Sequence, residues 1–368
     1  MKYYIIAGEK SGDLHGSNLI KALKTEDTNA EIRCWGGDEM KKAGGDLVVH
    51  YKEIAFMGFW EVFTNIFTVI KYLAFCKKDI RSFNPDVIIL IDYAGFNMKI
   101  AKFGKQEGYK TFYYISPKIW AWNQSRALNI KKYVDRMFVI LPFESSFYGT
   151  YDYKVDYVGN PLLDAINAFE VNPDFLTQQG LTGKPLIAVL PGSRKQEIKN
   201  MLSVMLEVTD NFPEYLFVVA GVDNIPEEFY AQVKARPSVK IVFNNTYNLL
   251  AHAHAAVVTS GTATLETALF NVPQVVCYKT STISYKIAKG LIKVDYIALV
   301  NLIADKEVVK ELIQQEMNAI DVTRELAKIA KETPERENML QEYAKVKAIM
   351  GNEKASQNTA RLIIKYLK

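Results

Sequence analysis

Five consecutive aliphatic residues, Val87-Ile-Ile-Leu-Ile91, run straight into a carboxylate, Asp92. A run that is apolar at every position, not at alternate ones, suits a strand covered on both faces. Such strands are parallel, with crossover helices on either side. Comparable runs occupy residues 3–7, 111–115, 137–141, 186–190, 216–220, 239–243, 255–259 and 274–278, with helix-compatible stretches between them. The alternation predicts an α/β chain built on doubly wound parallel sheets.

The pattern restarts once. Residues 154–164 read as a last strand and its exit turn, and a polar stretch with Asn172-Pro173 and Gly180-Leu-Thr-Gly183 follows. Leu186-Ile-Ala-Val-Leu190 then opens a new strand–loop–helix unit. A length of 368 residues agrees with two domains at roughly 100–200 residues each. The expected domains are 1–164 and 165–344, with a terminal helix from about 345 to 368 packing back on the first. Two such Rossmann-like domains are expected to face a central cleft at the carboxyl ends of their strands, where open α/β sheets bind ligands.

Charge and cysteine usage remove several classes. The excess of 45 basic over 41 acidic residues, a net +4, is too small to argue for nucleic acid. Cys34, Cys76 and Cys277 have no zinc spacing, and His252 and His254 are two apart, off a common helical face, so no metal is expected. A low, odd cysteine count suits a reducing cytoplasm. Glu9, Lys10 and Asp13 interrupt any signal-peptide core, so the amino terminus reads as a first strand.

The chemistry is expected in loops after strands. Leu190-Pro-Gly-Ser-Arg194 ends a strand and leads into a helix near Glu197. Gly192 permits the turn, and Ser193 and Arg194 add a hydroxyl and a bidentate cation to a helix start, a combination suited to a diphosphate. Thr259-Ser-Gly-Thr-Ala-Thr-Leu-Glu266 repeats the device: Ser260 and Thr262 are candidate helix caps, Gly261 allows close backbone approach, and Glu266 is a candidate acceptor for ribose hydroxyls. Neither loop is GxxxxGK[ST] or GxGxxG, so neither a P-loop nor a nicotinamide cofactor is supported, and no cofactor is expected. In the first half, Glu9, Ser11 and Asp13 crowd the turn after the first strand. Asp92 ends its strand at the carboxyl edge, where a carboxylate can take the proton of an attacking hydroxyl or simply satisfy loop N–H groups. Trp120 and Trp122 lie close together in the loop Ser116–Trp122, with Lys118 and Arg126 nearby, and read as a lid or binding wall.

From Ile54 to Cys76 only Glu61 and Lys71 are charged, while Phe56, Phe59, Trp60, Phe63, Phe67, Tyr72 and Phe75 surround the helix. Lys71, Lys77, Lys78 and Arg81 gather at its far end. The two charges argue against a membrane span; an interfacial helix, an acyl-chain groove and a core helix all accommodate the pattern. Lys286, Lys289 and Lys293 form a second basic face suited to acidic headgroups or to solvent.

Taken together the motifs resemble the lipid-A-disaccharide synthase family, inverting glycosyltransferases of the two-domain GT-B type. The resemblance rests on Ala7-Gly-Glu-Lys-Ser-Gly-Asp13, Met57-Gly58 with Glu61-Val62, Ile91-Asp92 with Phe96-Asn97, Ser116-Pro with Trp120-Ala-Trp122, and Leu141-Pro-Phe-Glu144. It continues through Leu190-Pro-Gly-Ser-Arg194, Ser260-Gly-Thr-Ala-Thr-Leu-Glu266, and Lys293-Val-Asp-Tyr296 followed by Asn301-Leu302. It implies a UDP-diacylglucosamine donor, a diacylglucosamine 1-phosphate acceptor, and peripheral attachment to the inner face of the bacterial inner membrane. Asp92 is then the candidate base, with Glu9 and Ser11 beside it. Gly192, Ser193, Arg194, Ser260, Gly261, Thr262, Ala263, Glu266 and Asn301 are implied to bind the donor. Phe56, Met57, Trp60, Phe63, Phe67, Trp120, Trp122, Lys71, Lys77 and Lys78 are implied on the acceptor or membrane side. Asn160 and Val300 depart from the family pattern, where relatives often carry His and Pro. Another UDP-sugar enzyme of this fold, such as an epimerase, and a non-catalytic UDP-sugar or lipid binder stay open as alternatives, as does assembly into a homodimer.

Overall fold

Seven parallel strands make the first sheet in the computed structural model, which describes residues 1–54, 66–352 and 354–368. They are β1 (Lys2–Ala7), β2 (Glu31–Gly36), β3 (Asp46–His50), β4 (Val87–Ile91), β5 (Lys110–Tyr114), β6 (Arg136–Val139) and β7 (Asp156–Tyr157), in the order β3-β2-β1-β4-β5-β6-β7. Six more parallel strands make the second: β8 (Leu186–Leu190), β9 (Leu216–Gly221), β10 (Val239–Phe243), β11 (Ala253–Thr259), β12 (Gln274–Tyr278) and β13 (Lys310–Ile313), in the order β10-β9-β8-β11-β12-β13. Two doubly wound α/β units are thus present, as the continuous apolar runs require. Val87 to Ile91 and Leu186 to Leu190 are indeed buried without a break.

The first unit comprises Met1–Pro161 and Asn352–Lys368, and the second Leu162–Gly351. The sequence-based limits shift accordingly: residues 345–351 stay with the second unit, and the return begins at Asn352. The returning helix Ala355–Leu367 buries Ala360 and Ile363 in the apolar cluster that also holds Leu19, Ile20 and Leu23. Tyr366 at its end hydrogen-bonds Asp156 at 3.0 Å and lies under the Arg136 guanidinium at 4.0 Å.

Strand order positions the chemistry in each unit. In the first sheet the winding reverses between β1 and β4, which pair with Ala7 opposite Ile91. The loops carrying Glu9 and Asp92 therefore leave the sheet side by side, at the switch point where such sheets form a crevice. In the second sheet the reversal falls between β8 and β11, with Leu190 opposite Val258. The loops after Leu190 and after Thr259 emerge together there for the same reason.

Candidate functional site

The first cluster is built on a strained turn. Asp92 and Tyr93 have φ of 42° and 50°, so two successive non-glycine residues occupy the left-handed region. Each such residue costs on the order of 1–3 kcal/mol and persists only where its surroundings hold it. Here the buried Asn97 amide donates to the Ile91 carbonyl at 3.1 Å and to the Asp92 carbonyl at 2.8 Å, and the Tyr113 hydroxyl also donates to the Asp92 carbonyl. Gly8, in the neighbouring loop, has no room for a side chain, since a Cβ would lie 2.3 Å from the Tyr93 ring. That close approach keeps the Glu9 loop against the Asp92 turn.

Burial raises the Asp92 carboxyl above the usual aspartate range, and the negative charge of Glu9 adds to the effect. Lys118 and the Tyr93 N–H oppose it. A partly buried carboxylate with a raised pKa and no ion-pair partner among the described residues is suited to accept a proton. Glu9 is exposed immediately before the helix Lys10–Glu26, and its side chain does not cap that helix; Ser11 is exposed in its first turn. Asp13 separates from them. It is buried and accepts from the N–H groups of Gly37, Glu39 and Met40 at 2.7, 3.2 and 3.0 Å, which makes it a scaffold for the following turn.

The second cluster contains an internal anion. Gly192 has φ of 109°, and Glu197 folds back so that Oε2 accepts from the Ser193 N–H at 2.9 Å and the Arg194 N–H at 3.2 Å. Its other oxygen takes Arg194 Nη1 at 3.1 Å. The loop N–H groups expected for a diphosphate are therefore occupied by a carboxylate of the same chain. Arg194 itself remains 80% exposed, with its other guanidinium donors outward. In the sequence Glu197 marks the helix start, and a Glu at the third helical position is a known capping signal. The helix Thr262–Leu269 has the opposite character. No side chain caps it, and Ser260, expected to do so, donates instead to the Ile297 carbonyl at 3.1 Å. Its first-turn N–H groups, including those of Thr262 and Ala263, lack helical acceptors as at any helix start, and a Cβ on Gly261 would meet open space. Glu266 lies one turn in, its carboxyl raised by burial against the lowering effect of the Tyr247 hydroxyl, which donates to Oε1 at 2.9 Å.

Two expected ligand-facing residues are structural. Asn301 is fully buried: its amide donates to the Val309 carbonyl and to Glu311 at 2.9 and 2.8 Å, and its oxygen accepts from Val308 and Val309 at 2.8 and 2.9 Å. An asparagine has two donors and two lone pairs, so none is left for a donor sugar. Trp120 is buried, donating to Glu144 at 3.2 Å and packing edge-on to Phe143, so it forms no exposed wall. Trp122, 42% exposed, carries the Arg126 guanidinium 4.8 Å above its ring. Glu144, in the sequence only the last letter of Leu141-Pro-Phe-Glu144, is buried. Burial pushes its carboxyl up to about 7 against hydrogen bonds from Leu141, Trp120 and Ile140.

The helix Ile66–Phe83 has one core face and one outward face. Val69, Leu73, Cys76 and Ile80 are buried, whereas Phe67 is 84% and Ile70 55% exposed, with Lys71 and Lys78 beside them. The apolar pattern thus serves both a core and an outer surface. Lys77 lies 5.5 Å from the Phe103 ring instead of joining Lys71 and Lys78. Phe56, Met57, Trp60 and Phe63 lie outside the described residues. Among the described residues no helix is long and apolar enough to cross a membrane, and no group of side chains has the makings of a metal site.

The profile of the family described as Lipid-A-disaccharide synthetase matches residues 3–364. The chain belongs to the lipid-A-disaccharide synthase family. Lipid-A-disaccharide synthase of Syntrophus aciditrophicus is 37% identical over 99% of this chain and 97% of its own length. That of Geobacter metallireducens is 35% identical over 99% and 96%. Among solved structures, the UDP-GlcNAc 2-epimerase of Neisseria meningitidis superposes with a TM-score of 0.69 at 13% identity, covering 100% of this chain and 99% of that one. That likeness shows the fold alone; membership of the family makes the chain a glycosyltransferase of lipid A biosynthesis.

Proposed function

We propose that the chain transfers the sugar of UDP-2,3-diacylglucosamine to the 6-hydroxyl of 2,3-diacylglucosamine 1-phosphate, giving the β-1,6-linked disaccharide 1-phosphate and UDP, at the cytoplasmic surface of the inner membrane. The substrates follow from the family; the observation that carries the mechanism is the strained Asp92 turn, with a partly buried carboxylate of raised pKa. Asp92 takes the proton as the acceptor oxygen bonds to C1 of the donor from the face opposite UDP. The C1–O bond to the diphosphate breaks, and the electron pair leaves with UDP. The exposed Arg194 guanidinium and the uncapped start of the Thr262–Leu269 helix are suited to the charge that develops on the leaving group. The second oxygen of Glu266 suits a ribose hydroxyl. The outward Phe67 and Ile70 with Lys71 and Lys78 suit the interface of a bilayer with anionic headgroups.

The decisive experiment incubates the protein with the two acylated glucosamine substrates in detergent micelles and identifies products by mass spectrometry. Formation of the tetraacyl disaccharide 1-phosphate with one UDP per turnover is expected. Free 2-epimerised sugar or no UDP release would overturn the reading.

A further inference from the structure

We propose that a cavity beside the Asp92 turn is the recognition site for the phosphomonoester of the acceptor, with Arg126 as its specificity-determining cation. The proposal rests on the transferase reading above and names which part of one substrate this pocket takes.

The cavity has a volume of about 190 Å³ and is lined by Ala94, Gly95, Met98, Pro117, Ile119, Arg126, Asn129 and Ile130. Its place is fixed by the elements already described. Ala94 and Gly95 follow the strained pair Asp92–Tyr93 and begin the helix Ala94–Glu107, while Arg126, Asn129 and Ile130 lie on the helix Arg126–Tyr133. Pro117 precedes Lys118, the lysine whose charge is felt at Asp92. A space of that size takes several waters, and so admits a phosphate group.

The walls are mostly apolar; the two polar lining side chains, Arg126 and Asn129, are solvent-exposed and make no hydrogen bond or ion pair among the described residues. Among the described residues no carboxylate comes within 4.0 Å of Arg126; Arg136 and Arg361 likewise form no ion pair, whereas Arg33, Arg81, Arg194, Arg236, Arg324 and Arg336 do. The Trp122 ring supports the Arg126 guanidinium at 4.8 Å, which restrains a long side chain without using its in-plane donors. A guanidinium held in this way beside an apolar wall, with its in-plane donors free, suits bidentate pairing with a phosphate. Gly95 leaves the mouth open, since a Cβ there meets nothing within 4 Å.

The test uses the full-length chain in neutral detergent micelles, with the 1-phosphate acceptor and with the same diacylglucosamine lacking phosphate. Transfer rates and direct acceptor binding are measured in parallel for the parent, Arg126→Ala, Arg126→Lys and Asn129→Asp. A charge-assisted hydrogen bond is worth about 1.5–3 kcal/mol, so Arg126→Ala is expected to raise KM and Kd for the phosphorylated acceptor roughly 10- to 100-fold. The loss should be confined to that acceptor, with Arg126→Lys recovering part of it. Asn129→Asp, which sets a carboxylate against the phosphate, should reproduce the selective loss and guards against a folding artefact of one variant.

Equal binding of the two acceptors by the parent would overturn the proposal whether or not turnover occurs. So would an Arg126→Ala loss of equal size for both acceptors, or one seen only on vesicles containing phosphatidylglycerol, which would assign Arg126 to a bilayer headgroup. A parent protein that binds the phosphorylated acceptor selectively but never releases UDP would sink the transferase reading and leave the pocket standing.

Discussion

Replacing Asn97 by alanine should separate the turn that holds Asp92 from the rest of the fold. The Asn97 amide makes two hydrogen bonds, to the carbonyls of Ile91 and Asp92, and the residue is fully buried. A buried hydrogen bond contributes about 1 kcal/mol net, and a stranded partner costs about 1–3 kcal/mol. The Asp92 carbonyl keeps the Tyr113 hydroxyl, so the larger penalty applies at most at Ile91. The Asn97 carbonyl oxygen has no hydrogen-bond partner in the native fold, and its removal returns part of the cost. The balance is a loss of about 2–3 kcal/mol. With a urea slope of about 2 kcal/mol/M, the midpoint of the first unit should fall by about 1 M. All four tryptophans, at positions 35, 60, 120 and 122, lie in the first unit, so their fluorescence reports that unit alone. Transfer should fall about 100-fold, because a displaced base loses its alignment with the acceptor hydroxyl. Lys99→Ala, at an exposed position of the same helix, is the control and should shift neither quantity appreciably. An Asn97→Ala protein with an unchanged fluorescence midpoint and full transfer rate would refute the clamp.

Asp92→Asn should reduce transfer about 10²- to 10⁴-fold while leaving UDP affinity intact. The native fold raises the Asp92 pKa, so stability is lost as pH rises from the unfolded to the folded value; at neutral pH the variant should unfold at higher urea than the parent, by chemical denaturation. In the parent, kcat/KM should climb with pH through the raised Asp92 pKa and then level off. Glu144, held up to about 7, donates its proton near neutrality and accepts from Trp120, so tryptophan emission should titrate there in the parent and not in Glu144→Gln. Phe67→Glu with Ile70→Glu should abolish cosedimentation with phosphatidylglycerol vesicles while leaving turnover of micellar substrate largely intact; unchanged sedimentation would remove this surface from the membrane reading.

What the sequence could show depended on how far each signal was local. β4 and β8 announce themselves because every residue is apolar and buried. β2, β3 and β13 do not, because they lie at or next to a sheet edge and carry charge. Arg33 on β2 is partly exposed and donates to the buried Asp79, which also accepts from the Tyr4 hydroxyl. The loops after Ala7, Ile91, Leu190 and Thr259 were legible as post-strand turns, and strand order brings them together in pairs within each unit. Which side chains remain free for a ligand was not legible. Asn301 fills all its hydrogen-bonding positions with backbone and Glu311, and Ser193 and Arg194 give their N–H groups to Glu197. Those outcomes are local, three to ten residues apart, but depend on rotamers and on how each loop folds back on itself, which residue spacing alone does not encode.

The helix Ala355–Leu367 has a consequence for biosynthesis. As the ribosome delivers the chain, the second unit is entirely out before the last piece of the first appears. Until then Leu19, Ile20 and Leu23 lack the apolar cover that Ala360 and Ile363 provide, so the earlier-made half waits for the later-made one. A stop codon just before Asn352 would spare every loop named here as chemical, yet leave a sticky face on the half that carries Asp92.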